Sequence, residues 1–165
     1  MPWLAESFGA LAVLLNFFGY RQTNVNRYLI VSALALFSVS AHFYLIEAMA
    51  ASVACALAGL RNLVVIKVRG QAILYVFVSL NLIFFTYEWF VLNHSWIIFV
   101  AYTSALIFTV GSIILKDTNT IRRWFIMAEG LGLTYSVLVG SLFGSIFNSV
   151  NLLSILIKLY QSRTK

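Results

Sequence analysis

Residues 28–66 read YLIVSALALFSVSAHFYLIEAMAASVACALAGLRNLVVI, and how this stretch is cut decides the fold. Its only polar interruptions of note are His42, Glu47 and Arg61. As one helix it would run about 58 Å, roughly twice the hydrocarbon thickness of a bilayer. It must fold back, and Glu47 is the expected turning point. Each arm then has close to the 20 or so apolar residues that a crossing needs. Residues 124–160 pose the same problem, with Gly140-Ser141 and Gly144-Ser145 marking the expected turn.

Working outward from these two stretches gives seven spans. They are Trp3–Gly19, Tyr28–Ile46, Ala48–Ile66, Ala72–Leu92, Trp96–Leu115, Trp124–Val139 and Leu142–Tyr160. Composition requires such a reading. Of 165 residues, 62% are hydrophobic and 10% charged, against about 25% charged in a soluble domain. A soluble fold of this size is largely surface and could not hide so much apolar area. Lipid removes the difficulty, because it solvates apolar helix exteriors.

Positive residues favour cytoplasmic loops. In the seven-span division all eleven Lys and Arg fall on one side, and Glu6, Glu47 and Glu88 on the other. The expected orientation places the N-terminus in the periplasm and the C-terminus in the cytoplasm. The first positive residue, Arg21, follows the first apolar run. A cleaved leader has the opposite charge order, so this run is expected to stay as a helix. The net charge of +6 does not read as a nucleic-acid footprint, since the basic residues are scattered singly and in pairs.

Thr23-Asn24-Val25-Asn26-Arg27 recurs as Thr118-Asn119-Thr120-Ile121-Arg122, at an offset of 95 residues. Both copies sit in a basic loop between the first and second helix of a triplet. The expected fold is an all-α polytopic membrane protein of two parallel three-helix bundles joined by an inversion linker helix, 3+1+3. Its units are residues 1–71, the linker 72–93, and residues 94–165. Parallel repeats about an axis along the membrane normal are a known transporter plan.

Ser40-Ala41-His42-Phe43-Tyr44-Leu45, then a tight turn and small residues leading to Gly59-Leu60-Arg61-Asn62-Leu63, resembles the YgjV-type bacterial inner membrane proteins. Gly140-Ser141-Leu142-Phe143-Gly144, followed by Asn151 and a basic tail, resembles the second half of that family. The resemblance implies an inner-membrane location and a distant similarity to the PQ-loop and SWEET-like transporter group. One departure stands out. The Pro-Gln dipeptide of that group is absent, and Pro2 is the only proline. Gly9, Gly59, Gly111, Gly130 and Gly132 could flex instead, although close helix packing is the commoner use of small residues in membranes.

Polar residues at bilayer depth are costly and usually face a cavity or a partner helix. Six are candidates for a cavity: Asn151, Asn148, Asn62, Asn81, Glu129 and His42. Asn148 and Asn151 are three residues apart and share a helix face. An amide both donates and accepts hydrogen bonds, which suits a small polar solute, while bonding between helices is the plainer alternative. Glu129 reads as a protonatable or cation-binding group, or as the structural ion-pair partner of Arg61. Arg61 is also near enough to a span end to snorkel. His42 reads as a proton acceptor or as an interfacial side chain in water. The tryptophans lie near span ends, where the membrane interface favours them. Cys55 reads as a packing residue.

No catalytic motif is present, so an enzyme is not expected. His42 and His94 are the only histidines, and neither a metal site nor a cofactor is expected. The expected partners are the lipid bilayer and a small polar solute, with no nucleic acid.

Overall fold

A computed structural model describes residues 2–20, 22, 24–68, 70–115 and 117–163, the side chains of Pro2, Tyr20, Val25, Thr118 and Arg163 excepted. Arg21, Thr23, Arg69, Lys116 and Lys165, which enter the charge pattern or the repeat, lie outside the described residues. Seven helices account for nearly all the rest: α1 Pro2–Tyr20, α2 Val25–Leu45, α3 Met49–Val64, α4 Gln71–Phe90, α5 Ile97–Ile114, α6 Thr118–Leu138 and α7 Leu142–Arg163. Among the described residues, α2, α4, α5 and α7 are long and apolar enough to cross a membrane, and α1 and α3 are shorter apolar helices. The remaining helix, α6, has the length but carries Arg122, Arg123 and Glu129.

The two hairpins are built alike. Asn24 caps α2, its side chain accepting from the amides of Asn26 and Arg27 at 2.9 and 3.2 Å. Asp117 caps α6, accepting from the amide of Thr120 at 2.7 Å. Such side-chain oxygens satisfy amides that have no partner within the first turn. The two caps stand 93 positions apart, and each opens a helix of 21 residues. Both helices end in the same turn. The amide of Ala48 donates to the carbonyl of Phe43 at 2.9 Å, and that of Ser141 to Ser136 at 2.8 Å. The intervening residue is left-handed in each, Glu47 with φ 63° and Gly140 with φ 71°. This conformation closes helix C-termini and usually falls to glycine.

These features move two expected boundaries. The sixth helix starts at Thr118, not Trp124, because the Asp117 cap extends it through a polar first turn that hydropathy does not register. Gly144-Ser145 lies inside α7 and takes no part in the turn. The caps and turns also repeat at 93 positions, two short of the offset between the Thr-Asn motifs.

Packing closes six helices into a ring, in the order α1, α2, α3, α5, α6, α7 and back to α1. Helix α4 stands outside it, against α5 and α3. Small residues allow the close approaches. A Cβ on Gly9 would stand 2.5 Å from Phe143, one on Gly59 2.9 Å from Phe37, and one on Gly111 2.5 Å from Trp124. These glycines serve packing.

Candidate functional site

The ring encloses a cavity of about 730 Å³, within the roughly 300–1,000 Å³ of small-molecule pockets. All six ring helices line it, and α4 contributes nothing. Phe43, Tyr135 and Phe147, all buried, wall it toward the α2–α3 and α6–α7 turns. In the other direction it reaches Arg122 and the exposed Lys158 at the basic end of the bundle.

Glu129 projects from α6 and is 5% exposed. Its Oε1 accepts from Nδ2 of Asn151 on α7 at 2.9 Å. The Asn151 oxygen in turn accepts from Nδ2 of Asn16 on α1. Oε2 of Glu129 is buried with no hydrogen-bond partner. Three helices are thus joined through one amide, and one carboxyl oxygen is left over.

Arg61 comes from α3 and is also 5% exposed. Nη1 donates to Oγ1 of Thr109 on α5 at 3.1 Å, and Nη2 makes only a 3.5 Å contact with Oδ1 of Asn62. Its Nε is buried without a partner. Asn62 also donates to Ser32 at 3.1 Å. Asn148 donates to the Ser136 hydroxyl at 3.1 Å and the Gly144 carbonyl at 2.7 Å. Its oxygen sits where a Cβ on Gly132 would come within 2.5 Å, so the glycine makes room for the amide.

Of the residues expected to line a cavity, Asn62, Glu129, Asn148 and Asn151 do so. His42 does not. It is buried behind the aromatic wall, with Nδ1 2.8 Å from the Ala5 carbonyl and Nε2 2.8 Å from the Ser141 hydroxyl. It ties α1 and the α6–α7 turn to α2 and does not reach interfacial water. Asn81 does not line the cavity either, because α4 is outside the ring. Its amide donates to the Phe77 carbonyl of its own helix at 2.7 Å. The expected Arg61–Glu129 ion pair is not formed. Arg61 is drawn across to α5 by Thr109, and the bonded oxygen of Glu129 is turned to α7. Nor does Arg61 snorkel to the surface.

Sequence reasoning missed three participants. Asn16, a lone amide in the first apolar run, was a visible signal. Thr109 carried none, since threonine is ordinary in such helices. Glu88 was counted only in the charge pattern, on the side opposite the positive residues, and it is fully buried. It accepts from the Tyr102 hydroxyl at 2.5 Å and lies 2.9 Å from Nδ1 of His94, joining α4 to α5. Cys55 lines the cavity as well as packing.

Residues 3–165 match the family Imp-YgjV, described as a bacterial inner membrane protein. The chain belongs to this family. Membership agrees with the resemblance carried by His42-Phe43, Arg61 and Asn151 and makes the Imp-YgjV chain an integral inner-membrane protein. No curated protein and no solved structure matches it.

Proposed function

We propose that this Imp-YgjV protein is a transporter or facilitator of a small polar solute. On this reading all seven helices span the inner membrane, N-terminus outside and C-terminus inside. Residues 1–71 and 94–165 are two parallel three-helix units, and α4 is the linker that lets them share one orientation. The ring order supports this plan. A two-fold operation exchanging α1 with α5, α2 with α6 and α3 with α7 turns the α3–α5 contact into the α7–α1 contact. One end of each link corresponds, since Thr109 and Asn16 are 93 positions apart, while the other ends, Arg61 and Asn151, fall one helical turn out of register.

The observation that carries the function is the cavity, polar at mid-bundle, lined by both units, walled by buried aromatics toward one end and reaching the basic residues at the other. Uptake into proteoliposomes across a broad panel of small polar metabolites tests it. The expected result is uptake of at least one, reduced about tenfold or more in Asn151→Ala, which unpairs Asn16 and Glu129 together. No uptake of any panel member overturns it.

A second reading, a non-transporting partner subunit, receptor or assembly factor, is favoured by the glycine-packed helices, which carry no proline beyond the first position of α1. Its mark would be a stoichiometric partner that co-purifies from native membrane.

A further inference from the structure

We infer that the solute is a small zwitterion carrying one ammonium and one carboxylate group. This deepens the proposed function and rests on its cavity. Two ionisable side chains, one acidic and one basic, line that cavity, Glu129 and Arg61, and each is only 5% exposed. Neither has an ion-pair partner. The one salt bridge among the described residues joins His94 to Glu88, on the outer side of the ring. Glu129 and Arg61 each keep one buried polar atom unmatched, Oε2 and Nε.

A buried charge without a counter-charge is costly, and so is a buried polar atom without a hydrogen bond. Here the two charges are held apart by different helices. Asn151 fixes Glu129 from α7, and Thr109 fixes Arg61 from α5. Tyr28, which lines the same cavity, lies in the field of both. Arg61 is held firmly only at Nη1, which leaves Nε unpartnered and Nη2 weakly engaged along one edge of the guanidinium. That edge is the fork that takes a carboxylate by two parallel hydrogen bonds. Oε2 of Glu129 accepts a hydrogen bond and supplies negative charge, which suits an ammonium.

A neutral solute would hydrogen-bond the amides but leave both charges uncompensated. A simple anion would satisfy Arg61 and lie in the same cavity as an uncompensated carboxylate. A simple cation has the converse fault. A molecule bearing both charges satisfies both groups at once. Arg122 and Lys158 at the basic end favour approach of its carboxylate.

Calorimetric titration of the purified protein in detergent tests this with glycine, L-alanine and L-leucine, and with propionate, ethylamine and propionamide as analogues lacking one or both charges. At least one zwitterion is expected to bind about 10- to 100-fold more tightly than each singly charged analogue, as loss of a charged hydrogen bond implies. Glu129→Gln should abolish the preference for the zwitterion over propionate, lowering the affinity of the first and raising that of the second. Arg61→Gln should bring it to the level of ethylamine. Melting curves of both variants verify the fold, and the wild-type panel needs no variant at all. Propionamide or a singly charged analogue binding as well as every zwitterion overturns the inference, as does no binding by any of the three zwitterions. The two readings fail separately. Zwitterion binding without uptake sinks transport alone, whereas uptake with no preference for zwitterions sinks only the solute class.

Discussion

The α2–α3 and α6–α7 hairpins share a cap, the length of their first helix and a turn, yet they offer the cavity different chemistry. At positions 93 apart, Leu36 stands where Glu129 is, Ala58 where Asn151 is, and Cys55 where Asn148 is. The exchange also runs the other way, with Arg61 matched to Ser154, Asn62 to Ile155 and Ser32 to Phe125. All these side chains line the cavity. The backbone plan therefore does not depend on which polar groups fill it. Caps, left-handed turn residues and small-residue contacts fix the hairpins, and the lining is free to diverge.

The sharpest way to break this comparison is at a close contact that only one hairpin makes. Ala51 and Gly144 occupy matching places, but a Cβ on Gly144 would meet Phe43 at 2.6 Å and the Ser136 hydroxyl at 2.8 Å. Gly144→Val should destabilise the protein by about 3 kcal/mol, the upper end of ordinary overpacking, read from unfolding in detergent. Wild-type stability would show that the aromatic wall yields and that the two places differ less than described.

The next effect concerns the two links between the halves. Asn151→Leu removes two interhelical hydrogen bonds and should cost about 2 kcal/mol, whereas Thr109→Val removes one and should cost about 1 kcal/mol, from the roughly 0.6–1.7 kcal/mol typical of each in membranes. Unfolding of both variants and of the double variant gives the values. Because the links share no side chain, their costs should add. Strong non-additivity would mean that the links act as one network.

The smallest effect distinguishes the caps. The Thr120 hydroxyl, with help from its amide, holds the exposed Asp117 carboxyl below its usual range. A depressed folded pKa gives stability that is present above the unfolded value, about 3.9, and lost as pH falls through the folded one. Asp117→Asn should remove this acid-limb dependence, while Asn24 of the first hairpin, which does not titrate, gives none. An unchanged acid limb in Asp117→Asn would place that dependence elsewhere.

Much of the architecture was legible in the sequence. Run lengths fixed seven helices, and the turns at Glu47 and Gly140 followed from the impossibility of a double-length helix. What hydropathy could not give was rotation. A helix that is apolar on every side has no amphipathic pattern to mark its inward face. Lone polar residues could therefore be located along the bundle but not around it. Asn62, Asn148, Asn151 and Glu129 do point into the cavity, whereas His42 turns to the sealed end and Asn81 sits on a helix outside the ring. Asn16 and Arg61 depended on which helices become neighbours, and the α1–α7 and α3–α5 contacts join residues far apart in the chain. The early start of α6 was missed because a cap is a hydrogen-bond feature, invisible to an apolar count.

The position of α4 outside the ring has a consequence for what such a pocket can be. A pocket formed by two identical three-helix chains would carry every side chain twice, as closed two-fold assembly requires. It could hold two carboxyls or two guanidiniums, but never one of each in unlike places. On the proposed reading, α4 ties the two units into one polypeptide while staying clear of the pocket. The tether thereby frees each half to mutate alone, and a symmetric container becomes one with a head and a tail.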